Sequence, residues 1–202
     1  TAQSRSIRVS RMDKVFFENL GPSSRHQGVA LKLPVPAAET DKTGMEGLFA
    51  RAVDKKGVLV LLDQITDPHN TGSIIRTAEA LGCDGIIIPK SHSSGITPTV
   101  VKSSAGATAH IDILQISNVA LFLDDAKKHG FWIIGTADAG NCDLPELGKV
   151  RPAVLIIGSE ESGMRRLTAE KCDYIVRIPL AGRISSLNAS VAAGIILYQI
   201  MH

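Results

Sequence analysis

Short apolar segments of strand length recur along this chain, and segments with helical spacing separate them. Val58–Leu62 and Ala153–Ile157 are apolar without interruption, and Gly85–Ile88, Phe131–Ile134 and Tyr174–Ile178 are predicted as further short strands. Strands that are apolar at every position are buried on both faces, which is typical of a parallel sheet covered by helices on each side. The alternation therefore predicts an α/β fold with a largely parallel sheet flanked by helices.

The predicted helices lie between these strands, and one more strand is expected near Ile111. The helices cover Met45–Lys56, a segment that ends at Leu81, Asn118–His129 and Asn188–Met201. The chain before them is irregular, with an excess of basic residues and several prolines. We therefore expect a basic arm, or the end of another domain, over residues 1–43 and a globular domain over residues 44–202.

Composition restricts the class of protein only weakly. The formal net charge of +2 permits a polyanionic partner without requiring one. The three cysteines are widely spaced and the six histidines form no HExxH or HxH pattern, so we expect no metal site and a reducing compartment. The apolar runs are much shorter than the roughly 20 residues of a membrane helix, so the sequence predicts a soluble protein without a membrane partner, in the cytoplasm or an organellar matrix.

Three polar loops follow predicted strands, at the edge of the sheet where α/β proteins bind ligands. They are Asp63–Asn70, Gly158–Gly163 and Pro179–Asn188. Each loop on its own has a plain structural interpretation, because Asn, Ser and Asp are common at helix starts and Gly is common in turns. Asn70, for example, is a candidate N-cap of the helix that follows it.

The second loop excludes two classes of enzyme. It contains neither G-x-G-x-x-G nor G-x-x-x-x-G-K-[ST], and its adjacent acids Glu160 and Glu161 would repel phosphate oxygens. A nucleotide-dependent dehydrogenase or a phosphate-transfer enzyme is therefore not expected. A carboxylate in this position suits a cationic or hydroxyl-rich ligand better.

The three loops together resemble one known family. The order Asn70-x-Gly72-x-x-x-Arg76-x-Ala78, then Gly158-x-Glu160-x-x-Gly163, then Ile178-Pro179-Leu180 and Ser186-Leu187-Asn188 resembles the SpoU (TrmH-like) family of RNA ribose methyltransferases. The resemblance spans about Val58 to Met201. The stretches Leu61–Arg76, Lys102–His110 and Met164–Ile200 look like its bacterial ribosomal-RNA guanosine 2′-O-methyltransferase branch. His26-Gln27-Gly28 resembles that branch's link between a small substrate-binding domain and the catalytic domain.

The resemblance implies a fold, a cofactor and an assembly. The fold would be the SPOUT α/β-knot, with a deep trefoil knot near the C-terminus, and the protein would be a homodimer. The cofactor would be S-adenosylmethionine, held at positions that match Gly158, Ile178 and Leu187. Apolar side chains at 178 and 187 suit the faces of an adenine, and glycine at 158 permits a close approach of the chain.

The resemblance also assigns catalytic and RNA-binding residues. Arg76 would act on the ribose hydroxyl, either by accepting its proton with help from an RNA phosphate or by pinning that phosphate and stabilising the developing alkoxide. The residues that would orient it, the ribose and the cofactor are Asn70, Glu160, Ser186 and Asn188. The arginines that would hold RNA are Arg165, Arg166 and Arg183.

The expected activity is thus S-adenosylmethionine-dependent 2′-O-methylation of a ribose, on guanosine of large-subunit ribosomal RNA. Two alternatives remain open at this point. The same chemistry on transfer RNA would keep every residue assignment, whereas a non-catalytic RNA-binding or ribosome assembly factor would keep only the fold. The presence of Asn70, Arg76, Ser186 and Asn188 argues against the second alternative.

Overall fold

The computed structural model describes residues 8–20, 27–30, 42–137, 140, 142–144, 150–159, 162–184 and 186–202. The chain forms two compact units, residues 1–34 and 35–202. In the first unit a short helix, α1 (Lys14–Glu18), has Asp13 as its N-cap, and the Asp13 carboxylate accepts a hydrogen bond from the Phe16 amide at 2.9 Å. The boundary between the units falls among residues 31–41, outside the described residues, so the predicted division after residue 43 stays a prediction.

The second unit is built on a seven-stranded sheet in which every strand pairing is parallel. Its strand order is β3-β2-β1-β6-β4-β7-β5. The strands are β1 (Val58–Leu62), β2 (Gly85–Pro89), β3 (Asp112–Ile116), β4 (Trp132–Thr136), β5 (Cys142–Asp143), β6 (Ala153–Ile157) and β7 (Tyr174–Arg177). The predicted α/β fold with a parallel sheet is confirmed, and only the two-residue β5 has no counterpart among the predicted strands.

Six helices accompany the sheet in the described part of this unit. They are α2 (Lys42–Asp54), α3 (Pro68–Ala80), α4 (Pro98–Ser103), α5 (Val119–Lys128), α6 (Arg166–Ala169) and α7 (Ala189–Met201), with a 3₁₀ turn at Ala107–Ala109. The sequence did not predict α4 and α6, because four to six residues are too few to show helical periodicity.

Both faces of the sheet are buried. Along β1, Val58 and Val60 pack into a cluster with side chains of α3 and α7, whereas Leu59 and Leu61 pack into a second cluster with side chains of α2 and α5. Successive strand residues point to opposite faces, so a strand covered on both sides must be apolar throughout. This explains the uninterrupted apolar runs in the sequence.

Helices α3 and α7 run side by side in the same direction on one face of the sheet. Asn188 donates a hydrogen bond to Asn70 at their first turns, and a Cβ atom at Gly194 would lie 3.7 Å from Cγ2 of Thr77 further along. The segment from Ile178 to Asn188 joins β7 to α7. Its threading as a trefoil knot, implied by the family resemblance, stays a prediction. Among the described residues, no helix combines the length and the apolar character needed to span a membrane.

Candidate functional site

A pocket of about 360 Å³ lies at the carboxyl ends of β4, β6 and β7, beside the first turns of α7. We call it the strand-end pocket. Four residues predicted to bind the cofactor or act in catalysis line it together: Gly158, Ile178, Ser186 and Leu187. Its walls also include Val176, Leu180 and Ile196, and its polar groups include Thr136, Ser159 and Ser162. Apolar walls with a few placed polar groups are the usual construction of a small-molecule site.

The backbone after β6 folds back on itself at this pocket. The Ser159 amide donates to the Gly163 carbonyl at 3.1 Å, and the Gly163 amide donates to the Ser159 carbonyl at 2.9 Å. A Cβ atom at residue 158 would lie 2.5 Å from the carbonyl carbon of Gly163 and 2.6 Å from the Met164 nitrogen. Only glycine permits this approach, so Gly158 is required by the shape of the loop.

A buried carboxylate that sequence reasoning missed fastens the same loop to the sheet. Asp63 directly follows β1 and is fully buried. Its amide donates to the Ile157 carbonyl at 2.9 Å, and its carboxylate accepts the Arg165 amide at 3.0 Å and lies 3.4 Å from Nε of Arg165. Asp63 thus joins the ends of β1 and β6 to the loop after Gly163. The sequence signal was an aspartate at the end of an apolar run, which also fits an ordinary turn.

The arginines predicted to hold RNA lie in different environments. Arg165 forms the ion pair with Asp63, and its side chain is one-third exposed. Arg166 is exposed and pairs with Glu170 one helical turn away at 3.1 Å, and Arg183 is exposed. The roles of all three in RNA binding stay predictions, although the ion pair gives Arg165 a structural function that the sequence did not suggest.

A second pocket, of about 340 Å³, adjoins the first and is called the loop pocket here. Ser159, Ser162 and Ala189 line both pockets. The remaining residues that line the loop pocket are Gln64, Ile65, Thr66, Asp67, Asn70 and His92. The two pockets are therefore neighbouring parts of one site.

Two of the predicted catalytic residues meet directly between the pockets. Asn188 donates from Nδ2 to Oδ1 of Asn70 at 3.0 Å, and Oδ1 of Asn188 accepts the amide and the hydroxyl of Ser190. Asn188 is therefore the N-cap of α7. The interpretation of Asn70 as the N-cap of α3 is wrong, because Asp67 accepts the amides of His69 and Asn70 and Pro68 occupies the first helical position.

Arg76, predicted as the central catalytic residue, is not brought to either pocket within this chain. It is exposed on α3 and has no hydrogen bond or ion pair to any residue in the described part of the chain. Six residues along a helix correspond to a rise of about 9 Å and a rotation that leaves the two side chains about 120° apart, so Arg76 and Asn70 lie on different sides of α3. Glu160 lies outside the described residues.

Arg76 shares its side of the molecule with an apolar stripe on α7, formed by Val191, Ile195 and Tyr198. These three side chains are 51%, 40% and 59% exposed. Thr77 of α3 and Gly194 of α7 mark where the two helices face each other. About the axis of α3, Arg76 is rotated about 100° from Thr77, and about the axis of α7, the stripe is rotated about 40–100° from Gly194 in the opposite sense. Because the two helices are parallel neighbours, these rotations direct Arg76 and the stripe to the same outer side. The exposed arginine therefore lies next to an exposed apolar surface.

Cys83 and Cys172 line neither pocket, and their thiols are weakly reactive. Burial raises the pKa of the Cys83 thiol and that of the Cys172 thiol to about 12, so both thiols stay protonated and weakly nucleophilic at neutral pH. Within the described residues, no three His, Cys, Asp or Glu side chains are grouped so that they could hold a metal ion.

The fold and the two adjoining pockets place the chain among α/β proteins that bind ligands at the carboxyl ends of parallel strands. Residues 57–198 match the model of the SpoU rRNA Methylase family, and the chain belongs to that family. The resemblance inferred from the three motifs is confirmed. The chain is accordingly an RNA methyltransferase by family.

Curated relatives agree with this membership. A protein of Staphylococcus saprophyticus described as a TrmH family tRNA/rRNA methyltransferase is 42% identical over 200 residues, which cover 98% of this chain and 79% of the relative. YacO of Bacillus subtilis, with the same type of description, is 41% identical over 180 residues, covering 88% of this chain and 71% of the relative.

Solved structures agree as well. The SpoU methyltransferase AviRb from Streptomyces viridochromogenes aligns with a TM-score of 0.68 and 35% identity over 72% of this chain and 59% of its own. An rRNA methyltransferase from Sinorhizobium meliloti, solved with bound AdoMet, aligns with a TM-score of 0.67 and 34% identity over 71% of this chain and 55% of its own. The aligned part thus spans somewhat more than half of each of these solved chains.

Proposed function

We propose that this chain transfers a methyl group from S-adenosylmethionine to the ribose 2′-hydroxyl of a guanosine in large-subunit ribosomal RNA. The observation that carries the proposal is the pair of adjoining pockets. One has apolar walls and contains the motif residues Gly158, Ile178 and Leu187, and the other contains Asn70. A methyl donor and its acceptor must occupy neighbouring sites, because the transfer is an in-line displacement.

The strand-end pocket suits S-adenosylmethionine by its chemistry. Ile178 and Leu187 offer apolar surface for an adenine, the backbone of the folded loop at Gly158 offers amide and carbonyl groups, and Ser159 and Ser162 offer hydroxyls for the polar part. When bound, S-adenosylmethionine supplies an activated methyl group on a sulfonium. AviRb from Streptomyces viridochromogenes, 36% identical, was solved in complex with AdoMet, and that similarity supports the same assignment here.

The chain's own polar residues would orient the acceptor. The Asn70–Asn188 hydrogen bond fixes two amide groups at the junction of the pockets, and Ser186 lines the donor side. Arg76 would either accept the proton of the ribose hydroxyl with help from an RNA phosphate, or pin that phosphate and stabilise the developing alkoxide. The second role is favourable because a fixed cation stabilises an alkoxide strongly where water is excluded. Glu160 retains its expected orienting role as a proposal.

We further propose that the site is completed in a homodimer. Helix α7 is apolar on most sides, yet the stripe of Val191, Ile195 and Tyr198 is exposed in the single chain. A helix that is apolar all round is normally buried, so a second copy packed on the stripe would remove this surface from water. Arg76 lies on the same side, and this packing would bring it to the partner's pockets.

Ribosomal RNA is the proposed substrate, and the cytoplasm the proposed place of action. The exposed Arg166 and Arg183 would contact phosphates, which contributes affinity without sequence preference. The curated relatives are described as tRNA/rRNA methyltransferases, so transfer RNA is the competing substrate that the experiment must separate.

The test is transfer of radiolabelled methyl from S-adenosylmethionine to separate pools of unmodified ribosomal and transfer RNA. Label in large-subunit RNA that resists alkaline cleavage would support the proposal, because a 2′-O-methyl group blocks that cleavage. Label only in transfer RNA would contradict the proposal that ribosomal RNA is the substrate. Failure to label either pool by a protein that binds S-adenosylmethionine would favour a non-catalytic RNA-binding factor.

A further inference from the structure

The loop pocket has a polar rim that the catalytic residues do not account for. Its lining includes residues 64–67 from the loop after β1, Asn70 from the first turn of α3, and His92 from the loop after β2. Gln64 and His92 belong to none of the three family-like motifs. Both residues line the loop pocket and neither lines the strand-end pocket.

Both rim residues have a strained backbone. Gln64 has a φ of 65° and His92 a φ of 56°, in the left-handed region that side chains other than glycine adopt at a cost. Five non-glycine residues in the described part of the chain have positive φ, and two of them line this one pocket. Strain of this kind is concentrated at functional sites.

The amide of Gln64 lies beside the hydroxyl of Ser162. Nε2 of Gln64 faces Oγ of Ser162 at 3.5 Å, and that hydroxyl is itself held 2.7 Å from Oγ of Ser159. Because Nε2 turns toward Ser162, Oε1 remains as an acceptor, and it has no partner among the described residues. An acceptor in this place can accept a hydrogen bond from an N–H group of a base.

We infer that the loop pocket holds the base of the nucleotide that is methylated, with Oε1 of Gln64 selecting guanine and His92 packing against its ring. The Watson–Crick edge of guanine presents two adjacent donors, N1–H and N2–H, whereas adenine presents an acceptor beside a single donor. A single unstacked base is the form in which RNA-modifying proteins read sequence, commonly by stacking on an aromatic or imidazole ring. This inference rests on the proposed function, because it names the base recognised at the same site.

Glycine substitutions test the inference without imposing strain. Gln64→Gly and His92→Gly remove each side chain while glycine tolerates the positive φ, so the loops keep their backbone path. Lys56→Gly is the matched control, because Lys56 also has a positive φ, of 50°, and lines neither pocket. All variants are compared for S-adenosylmethionine affinity by calorimetry and for kcat/KM with wild-type ribosomal RNA.

The position methylated by the wild-type protein is mapped first, and RNA with adenosine at that position is then prepared. We expect both pocket variants to bind S-adenosylmethionine within twofold of the wild type. We expect kcat/KM to fall about tenfold or more, and the preference for guanosine over adenosine to fall about tenfold in Gln64→Gly, as for the loss of one good base contact. The control should match the wild type in all three measurements.

Two results would overturn the inference while the proposed function stands. One is an unchanged kcat/KM and base preference in both variants. The other is a loss of S-adenosylmethionine affinity as large as the loss of kcat/KM, which would make the loop pocket part of the cofactor site. A wild-type protein that methylates neither ribosomal nor transfer RNA would instead overturn the proposed function, and the inference with it.

Discussion

The strand-end pocket and the outer side of the α3–α7 pair are constructed in opposite ways. The pocket rests on buried strands, a loop closed by its own backbone hydrogen bonds, and the buried Asp63. The outer side presents Arg76, without a partner among the described residues, beside an apolar stripe that is 40–59% exposed. The described walls of the pocket come from one chain, whereas the outer side exposes apolar side chains next to a cation.

The difference separates two steps of the proposed reaction. In the proposed reaction, binding of the methyl donor would need only residues that one chain assembles, whereas activation of the ribose hydroxyl would need Arg76, which lines neither pocket of its own chain. Variants in the two regions should therefore affect cofactor affinity and turnover separately.

Arg76→Ala should give the largest effect. Loss of the cation that stabilises the developing alkoxide should lower kcat by about 100- to 1,000-fold, the usual range for removal of such a group. S-adenosylmethionine affinity and Tm should remain unchanged, since Arg76 touches neither pocket in its own chain. Arg51→Ala is the matched control, because Arg51 is an exposed helix arginine that pairs with Asp112 elsewhere. Turnover near that of the wild type would remove Arg76 from the mechanism.

Gly158→Ala should weaken S-adenosylmethionine binding, and the loss should be measurable in the absence of RNA. The added methyl group would lie 2.5 Å from the Gly163 carbonyl carbon, so the loop must move. We expect S-adenosylmethionine affinity to fall about 100-fold, equivalent to about 2.7 kcal/mol. Calorimetry without RNA measures it, and Gly47→Ala on α2 is the control. Affinity within threefold of the wild type would show that the folded loop does not shape the cofactor site.

Ile195→Asp should break the proposed dimer. Burying a charge in the centre of the apolar stripe without a counter-charge costs free energy, so the variant should sediment as a monomer. The monomer should bind S-adenosylmethionine normally and lose methyl transfer at least tenfold. An unchanged mass in light scattering, with full activity, would place the dimer contact elsewhere.

Asp63→Asn should give the smallest effect of the four. The substitution keeps an acceptor for the Arg165 amide but removes the charge opposite its partly exposed guanidinium, which should cost about 1–3 kcal/mol of folding free energy. The expected signature is a lower Tm together with weaker S-adenosylmethionine binding and little change in kcat. Asp112→Asn, in an exposed ion pair, should leave both quantities close to the wild type. A change in kcat alone would contradict the positioning role of Asp63.

The sequence predicted the strands and helices whose pattern of buried residues is long enough to recognise. The apolar runs located β1, β2 and β6 because strands buried on both faces have no polar positions. It missed β5, α4 and α6, which are too short to show a period. It offered Asn70 as a candidate cap of α3, whereas the cap is Asp67, a capping side chain followed by proline at the first helical position.

Only those site residues that belong to a family-like motif could be predicted from the sequence. Gly158, Ile178, Ser186 and Leu187 come together as the resemblance implied. Asp63, Gln64 and His92 belong to no such motif, and their importance depends on contacts between loops that are distant in sequence. The spacing of residues along α3 likewise does not indicate where Arg76 would lie relative to a second subunit.

The most direct test of a site completed by a second copy mixes two inactive variants. A heterodimer of Arg76→Ala and Gly158→Ala subunits contains one intact pocket, in the subunit that lacks Arg76, and one intact Arg76, in its partner. If Arg76 acts across the interface, random exchange of subunits should restore roughly a quarter of wild-type methyl transfer, because half of the dimers are mixed and each has one working site. If the mixture stays as inactive as either variant while mass measurements show that heterodimers have formed, Arg76 does not act across the interface, and the proposal of a site shared between two subunits is wrong.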